Sequence, residues 1–263
     1  MASSTAPGSP ARRSFHLAGI LLHYTTMKNS LTDKTAIITG GTRGIGRAIV
    51  ERLLAEGVKV VLCGQSDESA QRACEELTAR HAGRVFARKC DVSQPDEVHA
   101  LVHFAEQKLG RIDILVNNAG VGMFAPVEQL TPAQWHRMID LNLSGVYYCC
   151  HEVIPRMKAA GGGYIINISS LAGKNPFAGG AGYNASKFGL NGFTEAMMLD
   201  HRQDNIRVSY IMPGSVDTQF SHGSPAAWKI APEDIAEVVV TLVALPQRTL
   251  VSRVEIRPLK PPK

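Results

Sequence analysis

Hydrophobic residues in the first half of the chain alternate between short continuous runs and longer stretches with helical spacing. The runs predict strands over 34–39, 58–63, 84–88 and 112–116, and the spaced stretches predict helices over 44–56, 67–81 and 94–109. In the first of these helices Ile45, Ile49 and Leu53 fall on one side. The first half therefore predicts a regular alternation of strand and helix.

The second half of the chain repeats this scheme. Thr131 and Pro132 are typical of a helix start, and that helix is expected to run to about residue 160. Further strands are predicted over 164–168, 206–212 and 253–257, and further helices over 182–201 and 232–244. Strands that are hydrophobic throughout are typical of a parallel sheet covered by helices on both faces. We therefore predict an α/β fold: a three-layer, doubly wound Rossmann-type parallel sheet of about seven strands in a single domain.

Residues 31–257 carry this pattern, and the two ends of the chain do not. Residues 1–30 are rich in Ser, Pro and Ala, and their apolar patch over 15–24 is too short and too interrupted to span a bilayer. We expect a disordered extension from an upstream start. A targeting peptide is the alternative, because the stretch has arginines and no acids. Residues 258–263 form a tail rich in Pro and Lys.

The formal net charge of +5 resides at the two ends of the chain. Residues 1–30 hold three basic residues and no acid, and residues 246–263 hold five basic residues and one acid. The body is therefore slightly acidic, and we expect neither a nucleic-acid surface nor a membrane partner. The five cysteines are odd in number, lack a CxxC pair and lie in apolar segments. They favour a reducing compartment and a cytoplasmic location.

A glycine-rich turn, TGGTRGIG over residues 39–46, separates the first predicted strand from the first helix. Gly40, Gly44 and Gly46 give it the spacing GxxxGxG. Without side chains, the backbone can turn tightly and approach a pyrophosphate at the amino end of the helix. The turn therefore predicts a dinucleotide site, the alternative being a tight turn that binds no ligand.

The end of the second predicted strand bears on the choice of dinucleotide. An acid at that position would bind the ribose hydroxyls of NAD and repel the extra phosphate of NADP. This chain has Gly64 there, followed by Gln65 and Ser66, while Arg43 lies in the glycine turn. The pattern favours NADP(H) over NAD(H), although Asp67 is near enough to keep NAD(H) open.

Tyr183 and Lys187 are the candidate proton-transfer pair. They are four residues apart on a predicted helix and share a face. A nearby ammonium is expected to lower the pKa of the phenol toward working pH, as acid–base catalysis requires. Ser170, just after the fifth predicted strand, could hydrogen-bond the same substrate oxygen. The alternative is three unrelated surface side chains, which does not explain why all three follow the strand ends of one sheet.

Other polar residues also follow predicted strands, among them Asp91 and the NNAG run over 117–120. Polar side chains at the carboxyl ends of parallel strands are placed to contact a ligand bound at that edge of the sheet. The alternative is that these residues form ordinary turns. His99 and His103 have i, i+4 spacing, but a third ligand with suitable spacing is lacking, so we expect a solvated helix face and no metal.

Six motifs together resemble a known family. TGGTRGIG, NNAG, LNLSG, SSLAG, YNASK and PGSVDT follow one another between residues 31 and about 257, as in the single-domain short-chain dehydrogenase/reductase family, 3-oxoacyl-thioester reductases included. The resemblance implies a catalytic tetrad of Asn142, Ser170, Tyr183 and Lys187. Tyr183 would exchange the proton and Ser170 would hold the substrate oxygen. Lys187 would lower the Tyr183 pKa and hold the nicotinamide ribose, and Asn142 would anchor a water on a proton relay.

The resemblance also implies a set of cofactor contacts. Asp91 and Val92 would meet adenine, Asn118 and Ala119 would lie beside the adenosine ribose, and the residues after the sixth strand would surround the nicotinamide. With Tyr183 and Lys187, the expected cofactor-binding set is Gly40, Thr42, Arg43, Gly44, Ile45, Gly46, Gln65, Asp91, Val92, Asn118, Ala119, Gly120, Pro213, Gly214, Val216 and Thr218.

By the same resemblance, the expected function is hydride transfer between NADP(H) and a ketone or secondary alcohol, of the 3-oxoacyl-thioester reductase type, in a homodimer or homotetramer. An NAD-dependent dehydrogenase of a polyol, hydroxy acid or steroid is one alternative, and an NADP-binding sensor or scaffold is another. The family usually covers its substrate with a lid that would lie between Thr218 and Pro232. That stretch is short here and does not identify the substrate.

Overall fold

The computed structural model describes Met1, residues 31–221 and residues 226–261. Most of the predicted extension over 1–30 lies outside the described residues. The same holds for residues 222–225 of the predicted lid and for 262–263 of the tail.

One parallel sheet organises the described residues, in the order β3-β2-β1-β4-β5-β6-β7. Its strands are β1 (Thr35–Ile38), β2 (Lys59–Gly64), β3 (Val85–Lys89), β4 (Ile114–Asn117), β5 (Gly163–Ile168), β6 (Ile206–Pro213) and β7 (Arg253–Ile256). The strand order reverses between β1 and β4, where a crevice opens at the carboxyl ends of the strands. The predicted doubly wound, seven-stranded Rossmann-type sheet is confirmed.

Helices cover both faces of the sheet. They are α1 (Gly44–Ala55), α2 (Asp67–Thr78), α3 (Pro95–Leu109), α4 (Pro132–Ile139), α5 (Gly145–Ala159), α6 (Ala181–Asp200) and α7 (Pro232–Ala244). The core has two main parts. Leu53 of α1 and Val239 of α7 are buried on one face, and Leu101, Val153 and Leu190 of α3, α5 and α6 are buried on the other. The chain therefore forms the three layers that the hydrophobic pattern predicts.

The single helix predicted from Thr131 to about residue 160 is wrong in its middle. Its start is as expected, because Thr131 caps α4 and forms a capping box with Gln134. The helix then widens into a π-helical turn over Asp140–Ser144 before α5 begins. That turn contains the fully buried Asn142, whose side chain hydrogen-bonds the Val121 backbone. Hydrophobic spacing alone does not reveal such an inserted residue.

Asp113, just before β4, ties the start of that strand to β1. Its carboxylate accepts hydrogen bonds from the Thr35 backbone N–H at 3.0 Å and from the Thr35 hydroxyl at 3.1 Å. It also pairs with Arg111 at 2.8 Å. These contacts fix the register of the two central strands at the end opposite the crevice.

We predict that Asp113→Ala lowers the free energy of unfolding by about 1–3 kcal/mol, because it leaves the buried Thr35 backbone N–H without an acceptor, while the Thr35 hydroxyl keeps the Arg111 carbonyl. Urea titration measures the change. Glu128→Ala, which removes an exposed carboxylate, is the control and should shift stability by less than about 0.5 kcal/mol. Equal effects of the two variants would contradict this account.

Candidate active site

The glycine turn between β1 and α1 has no room for side chains. Gly40 and Gly44 have φ angles of 63° and 54°, in the left-handed region that glycine tolerates best. A Cβ on Gly46 would collide with the Gly40 carbonyl oxygen and with the Asn118 amide nitrogen. The turn therefore depends on its glycines, and its bare backbone faces the amino end of α1, which suits a pyrophosphate.

The end of β4 holds this turn in place. Asn118 donates from its side-chain amide to the carbonyl oxygens of Thr39 (3.0 Å) and Gly40 (3.1 Å). The Thr39 hydroxyl in turn accepts from the backbone N–H groups of Asn118 (3.0 Å) and Ala119 (3.1 Å). The Asn118 amide nitrogen thus holds the glycine turn, and the predicted place of Asn118 beside the adenosine ribose stays a prediction.

The loop after β6 also meets the glycine turn. A Cβ on Gly44 would lie 3.4 Å from the Thr218 methyl group. Pro213 ends β6, the Gly214 N–H donates to the Ile256 carbonyl at 2.8 Å, and Val216 bridges to Ile230. The structure therefore brings the predicted pyrophosphate and nicotinamide segments to one crevice.

The carboxyl end of β2 lies beside the same turn. Gly64 is so near Thr42 that a Cβ there would lie 2.5 Å from the threonine methyl group. Arg43 caps α1 and is exposed, and its guanidinium has no hydrogen-bond or ion-pair partner among the described residues. Asp67 is exposed in the first turn of α2. The position that would carry an acid in an NAD site thus holds a glycine, with the exposed Arg43 guanidinium in the adjacent turn.

Asp91, the predicted adenine contact, belongs to a small polar network. It accepts hydrogen bonds from the Ser93 N–H and hydroxyl and pairs with Arg137 of α4 at 3.1 Å. Gln65 also donates to it, at 3.3 Å. Burial opposes ionisation, but the Ser93 hydrogen bonds and Arg137 outweigh it and lower the Asp91 pKa. The neighbouring Val92 is buried beside Gly145 at the start of α5.

Tyr183 and Ser170, the predicted proton donor and its hydroxyl partner, lie side by side. Tyr183 lies in the first turns of α6 and is buried. Ser170, directly after β5, accepts from the Ala172 N–H at 3.1 Å, which fixes its hydroxyl near the phenol. Burial raises the pKa of Tyr183 to about 12, and a hydrogen bond with Ser170 opposes that rise. At neutral pH the phenol is therefore protonated and able to donate.

Lys187 lies one helical turn after Tyr183 and is also buried. Its ammonium donates to the Ile168 carbonyl at 2.9 Å and lies 5.9 Å from the centre of the Tyr183 ring. Burial lowers the pKa of Lys187 to about 8. Burial is the largest effect on the Tyr183 pKa, the Lys187 ammonium is directed at the β5 carbonyl, and the expected lowering of the Tyr183 pKa by this lysine stays a prediction.

Asn142 fixes the loop that closes the site. Its amide oxygen accepts from the Val121 N–H at 2.8 Å, and its amide nitrogen donates to the Val121 carbonyl (2.8 Å) and the Ser186 hydroxyl (3.0 Å). Gly120, just before that loop, would bring a Cβ within 3.9 Å of the Lys187 ammonium. The side chain of Asn142 therefore positions backbone around Lys187, and the predicted water on the relay stays a prediction.

Sequence reasoning missed the residues that hold the predicted ones. Thr39, Arg137 and Ser186 were not identified, although each contacts a predicted site residue. Thr39 had a visible signal, a hydroxyl residue between β1 and the glycine turn. Arg137 and Ser186 had none, because their partners come from distant parts of the chain.

Metal and membrane features were also searched for in the described part of the chain. No group of three or more His, Cys, Asp or Glu side chains is placed there to hold a metal ion. His99 pairs with Glu152 at 3.2 Å. None of the described helices has the length and apolar character needed to cross a membrane.

Comparison with known proteins agrees with this geometry. The family model described as short chain dehydrogenase matches residues 34–227. A cyclohexanol dehydrogenase of Acinetobacter is 34% identical over 228 residues, 83% of this chain and 90% of that protein. A 3β-hydroxysteroid dehydrogenase of Mediterraneibacter gnavus is 37% identical over 205 residues, 78% of this chain and 74% of that protein.

Solved structures show the same similarity. The crystal structure of a metagenomic short-chain oxidoreductase in complex with NADP superposes with a TM-score of 0.78 at 40% sequence identity. The match covers 88% of this chain and all of that one.

We predict that Gly46→Ala weakens dinucleotide binding at least about 100-fold, because the added methyl group must displace the Gly40 carbonyl or the Asn118 amide. Fluorescence titration of the purified protein measures the change. Gly192→Ala is the matched control, since a Cβ at that α6 position meets no atom within 4 Å. If the Gly46 variant bound the dinucleotide as tightly as the unmodified protein, the glycine turn would not be part of the binding site.

Proposed function

The chain belongs to the short-chain dehydrogenase family, and on that premise we propose that it uses NADPH to reduce a ketone to a secondary alcohol. It is an NAD(P)-dependent oxidoreductase of alcohol and carbonyl groups. The direction and the choice of NADP(H) form the proposal. The observation that carries the carbonyl chemistry is the buried Tyr183 phenol beside the Ser170 hydroxyl, one helical turn from Lys187.

The protein's part in this reaction follows from its side chains. When bound, the reduced dinucleotide supplies a hydride, with both electrons, to the carbonyl carbon. The Tyr183 phenol then gives its proton to the carbonyl oxygen, and Ser170 donates a hydrogen bond to that oxygen. The phenolate left behind is stabilised by the Lys187 ammonium one helical turn away and regains a proton from solvent. One ketone, one NADPH and one proton thus yield one alcohol and one NADP⁺.

The residues of the cradle support NADP(H) as the dinucleotide. The exposed guanidinium of Arg43 is suited to a phosphate, which arginine binds through two parallel N–H donors. Gly64 presents no acid to repel it. The metagenomic relative at 40% identity has a structure in complex with NADP. Asp67 is the residue that would argue for NAD(H), and it lies three residues beyond Gly64 in the sequence.

The substrate is a small ketone or alcohol in this proposal. The 3-oxoacyl-thioester class, implied by the sequence resemblance, stays a prediction. The curated relatives described above are named for cyclohexanol and for a 3β-hydroxysteroid, so cyclic secondary alcohols are the second candidate class.

We extend the proposal to assembly and location. Tyr147 of α5 and Phe188 and Leu199 of α6 are large exposed apolar side chains on neighbouring helices. They support a homodimer or homotetramer formed through these helices. The cytoplasmic location inferred from the cysteines stays a prediction.

We predict that Arg43→Ala lowers kcat/KM for NADPH about 10- to 100-fold and leaves that for NADH within about 2-fold, because one charge-assisted contact to the extra phosphate is lost. Steady-state kinetics with both dinucleotides test it. Arg202→Ala, at an exposed arginine after α6, is the control. Equal or better turnover with NADH by the unmodified enzyme would refute the NADP(H) assignment.

We also predict that kcat/KM for ketone reduction falls about tenfold per pH unit above pH 8. The pKa of Lys187 is about 8, so the cation is present below that pH and lost above it, while Tyr183, with a pKa of about 12, stays protonated. A pH profile measures the fall. Lys187→Met should have low activity and no such fall. A flat wild-type profile through pH 9 would contradict the assigned role of Lys187.

A further inference from the structure

Three phenylalanine side chains close to Tyr183 are exposed without a role in the chemistry above. Phe124, Phe177 and Phe220 have 47%, 46% and 40% of their surface accessible. They come from the loop after β4, the loop after β5 and the segment after β6. Three exposed aromatic rings from separate parts of the chain, gathered at one place, mark a surface that binds an apolar group.

The rings stand around the catalytic phenol. The Phe124 ring centre lies 5.6 Å from that of Tyr183, edge to face, and the Phe220 ring centre lies 5.8 Å from it. Phe177 contacts Phe124 at 5.6 Å between ring centres. An apolar group whose carbonyl oxygen reaches Tyr183 and Ser170 would therefore touch these rings.

The backbone holds the three rings in this arrangement. The Ala125 N–H donates to the Gly179 carbonyl at 2.8 Å, which joins the loop of Phe124 to that of Phe177. A Cβ on Gly122 would lie 2.8 Å from the Phe124 ring and 2.9 Å from the Phe220 ring. Because Gly122 has no side chain, both rings can approach its Cα. The aromatic surface is built into the loops and does not need the substrate to assemble it.

We propose that Phe124, Phe177 and Phe220 are specificity residues, and that the substrate is a ketone whose carbonyl carbon lies in, or next to, an apolar ring. This inference rests on the proposed function. A rigid ring gains edge-to-face and stacked contacts with all three phenylalanines and has few rotatable bonds to immobilise. A flexible acyl chain gains less aromatic contact and loses more conformational freedom on binding. Rings are therefore favoured over open chains of equal carbon number.

The test is a set of matched ketone pairs reduced with NADPH by the purified full chain. Cyclohexanone is compared with 2-hexanone, and acetophenone with 2-octanone; a 3-oxobutanoyl thioester of N-acetylcysteamine represents the thioester class. We expect the ring ketone of each pair to have the higher kcat/KM, by about tenfold or more. We expect the thioester to be poorer than acetophenone.

The variants Phe124→Leu, Phe177→Leu and Phe220→Leu remove a ring and keep an apolar side chain. Each should lower kcat/KM for the ring ketones about 2- to 10-fold, the range of one aromatic contact, and change that for the open-chain ketones less than 2-fold. Phe104→Leu is the matched control. Phe104 lies on α3, and its ring contacts Arg88 and Lys108 but no other aromatic ring in the described chain. NADPH affinity, measured by fluorescence, should be unchanged in all four variants.

A second kind of variant distinguishes the loss of an aromatic ring from a general loss of packing. Gly122→Ala keeps all three rings but pushes Phe124 and Phe220 aside, and it should reduce the preference for ring ketones as the Leu variants do. Two results would overturn the inference while the proposed function stands. The first is a kcat/KM for open-chain ketones or for the thioester that equals that for ring ketones. The second is a ring preference that the Leu variants leave unchanged. Tight NADPH binding without reduction of any carbonyl compound would instead overturn the proposed function, and this inference with it.

Discussion

The hydrogen bonds between the end of β4 and the end of β1 are the contacts on which the rest of the site depends. Asn118 bonds the carbonyl oxygens of the glycine turn, and Thr39 bonds the backbone that leaves β4. The two central strands of the sheet are therefore joined where the strand order reverses, beside the crevice at their carboxyl ends. The same backbone continues through Gly120 to Val121, which Asn142 holds against α6. One continuous set of hydrogen bonds thus links the dinucleotide cradle to the catalytic helix.

Burial then determines the chemistry of that helix. Tyr183 and Lys187 lose water together, and desolvation drives both toward their neutral forms, the phenol by raising its pKa and the ammonium by lowering its pKa. A protonated phenol is the form needed to reduce a ketone. A lysine with a pKa of about 8 is still largely charged at neutral pH, and its ammonium donates to the Ile168 carbonyl. In the proposed reaction the phenol would donate its proton, and the ammonium would stabilise the phenolate that results.

The fold and the glycine turn of the site could be predicted from the sequence, and the reasons are physical. A strand buried on both faces is a hydrophobic run, and a turn without space for a Cβ requires glycine, so β1, α1 and Gly40 could be identified directly. The π-turn at Asn142 could not, because one extra residue barely changes hydrophobic spacing. The partnership of Arg137 with Asp91 and the pKa of Tyr183 depend on burial and on contacts between distant segments. Local patterns carry no information about either.

The two halves of the crevice are formed by different parts of the chain's chemistry, one by backbone and the other by side chains. The dinucleotide half is made of backbone: glycines at positive φ, N–H groups at a helix end and buried amides, all of which tolerate little substitution. The proposed substrate half is made of exposed side chains on loops, where Phe124 and Phe220 contact Tyr183 and Phe177 contacts Phe124, but none of the three is buried in the core. Exchanging a ring there would change what is bound without moving Tyr183 or the sheet. Cofactor use and substrate choice can therefore vary independently in this chain, because different kinds of interaction hold them.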